Sequence, residues 1–242
     1  MRTLTTLTCA ALLAGCAQME GMMPWLNMGA QTASQMGYGK QDQVAGAIKQ
    51  ALELGSQRAS AELSASGGYS QSGYRLTLPE GLQPVASTLR SVGFGGVVDK
   101  AETTMNLAAE QAAAEALPVF EQAIKAMTVE DALGIVSGDQ TAATRYFRDQ
   151  TEASLRSQYA PIVQDHLKQT GFYSQYQTML AAYDKLPLTN KPNLNAEDYI
   201  IDQALDALFD RIGKEEALIR RDPVGRGTAL IGAIFGPQGG AQ

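Results

Sequence analysis

Val97-Val-Asp-Lys-Ala-Glu-Thr-Thr-Met-Asn-Leu-Ala-Ala-Glu-Gln-Ala-Ala-Ala-Glu-Ala-Leu117 is the stretch on which the fold class turns. Val98, Ala101, Met105, Ala108, Ala112 and Ala116 recur at helical intervals and share one face. Small side chains on that face let neighbouring helices come close, which predicts a central position in a bundle. Pro118 kinks or restarts this helix, and the pattern resumes through Phe120, Ile124 and Met127.

The same period continues outward in both directions. From Gln43 onward, Val44, Ile48, Ala51, Leu52, Gly55, Ala59 and Leu63 form a stripe that Gly67-Gly68 ends. Tyr74 to Leu78 alternates briefly before Pro79 and reads as extended linker rather than sheet. Pro79 opens a helix to about Ser91, which Pro84 kinks or delays. Gly93-Phe94-Gly95-Gly96 is a turn that lacks the strand–loop–helix setting of a phosphate loop.

On the C-terminal side, Thr128-Val-Glu-Asp131 resembles a capping box and predicts a short helix ending at Gly138. Asp139 or Thr141 caps the next helix, whose stripe is Phe147, Thr151, Leu155, Tyr159 and Ile162. Pro161 interrupts it and Gly171 closes it; Phe172 to Lys185 is a further helix. Leu188 to Leu194 is a Pro/Asn loop, and Asn195 with Asp198 reads as an N-cap. The last long helix runs from Ala196 to about Arg221, with Leu205, Leu208, Ile212 and Ile219 on one face, until Pro223 breaks it. Gly227 to Gly236 is apolar but too short to span a bilayer, which takes about 20 residues, and is expected to dock on the core. The prediction is all-α: a single compact, bundle-like domain of about seven to nine helices over residues 43–236, with a disordered tail at 237–242.

Composition agrees with a packed domain: 45% of the 242 residues are hydrophobic and 18% charged. Lys and Arg number 19 against 25 Asp and Glu, a formal charge of −6 that argues against a nucleic-acid partner. The N-terminus predicts the compartment. Arg2 precedes a short apolar run from Leu4 to Ala14, and Leu13-Ala14-Gly15-Cys16 resembles the lipobox of bacterial lipoproteins. That resemblance implies a signal peptide at residues 1–15, removed before a diacylated Cys16. It also implies anchoring by lipid, with the protein facing the periplasm; Ala17 favours the outer membrane. Residues 16–42 then form a flexible tether reaching about 25–30 Å. Its methionines (Met19, Met22, Met23, Met28, Met36) are irregularly spaced without histidine, which reads as tether rather than a copper site. With Cys9 cleaved and Cys16 acylated, no thiol remains for disulfides, thiolate metal sites or nucleophilic catalysis.

Three stretches resemble the bacterial domain-of-unknown-function family 4197. They are Arg75-Leu-Thr-Leu-Pro79 followed by Met105-Asn-Leu-Ala-Ala-Glu110; Gly138-Asp-Gln-Thr-Ala-Ala-Thr-Arg-Tyr-Phe147; and Ala204 to Phe209 running through Glu215-Glu-Ala-Leu-Ile-Arg220 to Asp222-Pro223 and Arg226. The resemblance covers nearly all of residues 43–236 and implies an exported all-helical domain. It implies no activity, cofactor or catalytic residue.

Glu215 is the local anomaly. Residues on a helix turn by about 100°, so Leu208, Ile212, Glu215 and Ile219 fall in one narrow sector. A carboxylate in an apolar stripe needs a cationic or hydrogen-bonding partner, or a proton. Arg90, Arg145, Arg148 and Arg226 are candidate partners, and Glu216 with Arg220 forms an i,i+4 pair beside it. Asn106 and Glu110 form a second polar pair; in isolation Glu110 favours solvent, whereas the family motif draws it toward the cluster. The candidate polar or ligand-binding cluster is therefore Asn106, Glu110, Thr144, Arg145, Arg148, Glu215, Glu216, Arg220 and Arg226. It reads either as a pocket with Glu215 as a raised-pKa acid or ligand anchor, or as an ion pair fixing helix register.

Other constellations carry less. Asp131, Asp139, Thr141 and Thr144 do not match a calcium loop, and capping accounts for Asp139 and Thr141. His166 is the single histidine, and no nucleophile elbow accompanies it. Tyr159, Phe172, Tyr173, Tyr176 and Tyr183 read as aromatic core rather than a sugar-stacking surface. No catalytic residue, metal or cofactor is assigned. The expected role is a binding or envelope-maintenance module with an envelope protein or small apolar ligand as partner. The alternatives are a lipid carrier and a hydrolase pairing Glu215 with Glu110.

Overall fold

Helix α1 (Lys40–Ser64) starts where the Asp42 carboxylate accepts the Gly39 amide at 3.1 Å, three residues before the predicted start. The computed structural model describes residues 39–133, 135, 139–186 and 196–236. The signal peptide, Cys16, all but the last residues of the predicted tether, Gly138, the 188–194 loop with Asn195 and the 237–242 tail lie outside them. The predicted tether boundary at residue 42 moves, because residues 40–42 form the first turn of α1.

After α1 the chain turns at Gly67, whose φ of 87° is left-handed, and a Cβ on Gly68 would sit 2.3 Å from the Leu63 carbonyl oxygen. Residues 75–79 have no regular structure, yet Leu76 and Leu78 are buried. A 3₁₀ turn (Glu80–Leu82) follows Pro79, so α2 (Gln83–Ser91) starts late, with Pro84 in its first turn. Then come α3 (Gly95–Ala126), α4 (Val129–Leu133), α5 (Ala142–Gln169), α6 (Phe172–Asp184), α7 (Ala196–Arg221), α8 (Pro223–Arg226) and α9 (Ala229–Phe235). Among the described residues there is no strand, and no helix is long and apolar enough to cross a membrane.

Helix α3 is central, as its alanine face predicts: it packs against α1, α2, α5, α6 and α7. Ala101, Ala108, Ala109, Ala112, Ala113 and Ala116 are all fully buried, and Ser60 of α1 donates to the Ala113 carbonyl at 2.6 Å across the close crossing. Farther along, Phe120 of α3, Phe147 of α5 and Phe209 of α7 meet with ring centroids 5.3–6.2 Å apart. Neither internal proline breaks its helix. Pro118 lies inside α3 and Pro161 inside α5, both on solvent-exposed positions, where the carbonyl that loses its donor faces water. Pro161 therefore does not interrupt α5, contrary to the sequence reading.

Two boundaries follow from capping. Thr128 and Asp131 exchange side-chain-to-amide bonds of 3.1 and 2.7 Å at the start of α4, and Gly171, at φ 76°, separates α5 from α6. The apolar C-terminal segment docks as expected. Helix α9 covers α1, and Ile231 joins Ala47, Ala51 and Ile219 in a small apolar cluster apart from the main core.

Candidate functional site

The phase of α7 buries Glu215, which is 2% exposed, and the fold surrounds it with guanidinium groups. Arg211, one turn earlier, donates to Oε1 at 2.8 Å. Arg58 of α1 and Arg226 of α8 both donate to Oε2, at 3.2 and 3.0 Å. Arg58 also donates to the Arg226 carbonyl at 2.8 Å, and Arg211 also pairs with Glu62 of α1 at 2.5 Å. Close approach of α1 and α7 makes this possible: a Cβ on Gly55 would lie only 3.2 Å from the Ile212 side chain. Burial pushes the Glu215 pKa up, but the Arg226 hydrogen bond and the Arg211 charge outweigh it and hold the carboxyl below its ordinary value. Glu215 is thus held in its charged form to lower pH than an ordinary carboxyl, the opposite of a raised-pKa acid.

Of the partners expected for Glu215, only Arg226 reaches it. Arg90 pairs with Asp99 at 2.8 Å. Arg145 pairs with Asp139 at 3.0 Å on the surface. Arg148 binds Glu152 at 2.6 Å and Asp206, with its guanidinium 5.2 Å from the Phe209 ring centre. Arg58 and Arg211 were missed. Arg211 carried a readable signal, the i,i+4 spacing to Glu215; Arg58 depends on how α1 crosses α7.

The neighbouring Glu216, also 2% exposed, does something different. Its Oε1 accepts the Ala143 amide at 3.0 Å and Arg220 Nε at 2.8 Å. Its Oε2 accepts the Thr144 amide at 2.8 Å and the Thr144 hydroxyl at 2.7 Å. Glu216 therefore supplies from α7 the cap that α5 lacks in its own sequence, since Thr141 at the N-cap makes no side-chain capping bond. Asp139 instead accepts the Thr141 amide at 3.1 Å outside the helix.

Asn106 and Glu110 lie away from these carboxylates in role. Both face inward, which overturns the solvent placement that Glu110 favours in isolation. The Asn106 side chain accepts the Leu76 amide at 2.9 Å and donates to the Leu76 carbonyl at 2.8 Å, taking the place of a neighbouring strand. Glu110 Oε1 accepts the Tyr69 and Ser70 amides at 3.2 and 3.0 Å and the Ser70 hydroxyl at 2.9 Å. Tyr69 is fully buried beside it and donates to the Ala204 carbonyl at 3.0 Å. These two side chains fasten residues 69–76 to α3, because buried backbone groups outside regular structure need partners.

His166 meets Glu115 at 2.8 Å across α5 and α3. Tyr159 and Phe172 are core residues, and Tyr173 donates to Glu197 at 2.5 Å. Asp131 accepts the Tyr146 hydroxyl at 2.8 Å as well as capping α4.

One cavity adjoins the carboxylate junction. About 160 Å³ in volume, it lies between α1, α5, α7 and α9 and is lined by Ile48, Ala51, Ala143, Ile219, Ile231 and Phe235, with Glu216 and Arg220 as its charged members.

A family model described as a protein of unknown function, DUF4197, matches residues 39–236. No curated protein and no solved structure matches the chain.

Proposed function

The chain belongs to the protein family of unknown function DUF4197, and from that premise we infer that it is a lipid-anchored, periplasm-facing helical module that binds a partner or small ligand in the cell envelope. One observation carries the anchoring: the run Leu13-Ala14-Gly15-Cys16 closing a short apolar segment. Binding is favoured over hydrolysis by how the buried carboxylates are used. Glu215 is held by three guanidiniums and Glu110 by the backbone of residues 69–70. Neither is paired with the other as acid and base across a cleft. The apolar cavity near Arg220, among the described residues, matches a benzene-sized group in volume, about 150 Å³, rather than a whole lipid.

The test is expression of the full chain in a bacterial host with a lipoprotein pathway, followed by fractionation and intact mass. The expected product sits in the outer membrane, lacks residues 1–15 and carries acyl groups on Cys16. Cys16→Ser should remove acylation and release the protein from the membrane fraction. A wild-type product that keeps Met1 and an unmodified Cys16 overturns the reading.

A further inference from the structure

The cavity beside Arg220 stands where two apolar clusters meet. Ile48 and Ala143 belong to the main core, whereas Ala51, Ile219 and Ile231 belong to the small cluster under α9. Its walls are apolar and almost wholly buried, and Phe235 of α9 forms a half-buried side. Engineered apolar cavities of about 150 Å³ take up benzene, and this one has room for a body of that size.

The charged side of the cavity is selective. Both Glu216 oxygens are already occupied by the Ala143 and Thr144 amides, the Thr144 hydroxyl and Arg220 Nε. Arg220, whose side chain is 23% exposed, has Glu216 as its one acceptor among the described residues, and a guanidinium carries five donors. The unspent capacity is therefore cationic. An uncharged hydrocarbon would leave that capacity unused, and a cation would face Arg220.

We propose that this cavity is a binding site for a small amphipathic carboxylate, with a benzene-sized apolar body between α1 and α9 and its carboxylate on Arg220. Ligand in this position ties α9 to the main core and steadies the C-terminal segment. The proposal deepens the reading of the domain as a binding module and is independent of its anchoring; the acylation experiment can fail while this one succeeds.

The probes are benzoate and its uncharged counterpart benzyl alcohol, titrated onto the purified full chain by calorimetry and ligand-observed NMR. Benzoate should bind saturably, at least about tenfold tighter than benzyl alcohol, as expected for a charge-assisted pair. Benzoate should also slow hydrogen exchange across Ala229–Phe235. Arg220→Gln should remove the roughly tenfold preference for benzoate over benzyl alcohol. Ala51→Phe, which fills the cavity from its apolar α1 wall, should abolish binding of both probes, with the fold checked by circular dichroism. Absence of saturable benzoate binding to the wild type, equal affinity for the two probes, or unaltered binding by a folded Ala51→Phe variant overturns the proposal.

Discussion

Two of the buried carboxylates in this fold, Glu215 and Glu110, solve the same problem with different chemistry. At the junction of α1, α7 and α8, Glu215 is surrounded by Arg58, Arg211 and Arg226 and uses both oxygens. Over α3, Glu110 receives no guanidinium among the described residues: two backbone amides and a hydroxyl all converge on a single oxygen. The first arrangement needs a negative charge, because three cations would otherwise face one another. The second needs only an acceptor atom, because neutral donors are being satisfied.

Substitutions that separate charge from acceptor capacity test that contrast. Glu215→Ala is expected to have the largest effect, a loss of about 3 kcal/mol or more in urea unfolding, as for one member of a buried ion pair. Glu215→Gln should still cost about 2 kcal/mol, because one amide edge would face a guanidinium. Glu110→Gln should cost less than about 1 kcal/mol, since a carbonyl oxygen can replace Oε1. Equal losses for the two Gln variants would erase the distinction between the sites.

Acid unfolding sharpens the same comparison. The Glu215 carboxyl titrates lower in the folded chain than its ordinary value of 4.5, so the unfolded chain binds more protons in that window. Its contribution is present above about pH 4.5 and is lost as pH falls through the lower, folded value. Glu215→Gln should flatten the dependence of stability on pH below about 4.5. An unchanged slope would mean that the arginines do not hold the carboxylate in its charged form.

Asn106→Ala removes both bonds to the Leu76 backbone and should cost about 1–3 kcal/mol. Hydrogen exchange at Leu76 should speed up first, before α3 itself loosens. The smallest effect is expected at Arg145, whose pair with Asp139 is exposed: Arg145→Ala should leave the melting temperature unchanged within error.

What the sequence made legible was whatever depends on one helix at a time. The alanine face of α3, the bounds of α7, the docking of residues 227–236 and the burial of Glu215 all follow from period and phase. Contacts between helices were less accessible. Arg58 reaches Glu215 only because Gly55 lets α1 approach α7, and no spacing within either helix encodes that meeting. Glu216 was readable as the i,i+4 partner of Arg220, but not as the cap of α5, because its amide partners lie in another element. Pro161 misled for a related reason. A proline in a helix is harmful chiefly when the orphaned carbonyl is buried, and its exposure depends on the tertiary fold.

The borrowed cap has a temporal side. Synthesis and any threading through a membrane pore deliver the polypeptide from its amino end, so Thr144 emerges with its amide unsatisfied and waits for a carboxylate 72 residues downstream. Until that later segment arrives, the leading turn of α5 has nothing to close it and stays open to proteases. Completion of the chain, rather than local helix formation, is the event that locks this start in place.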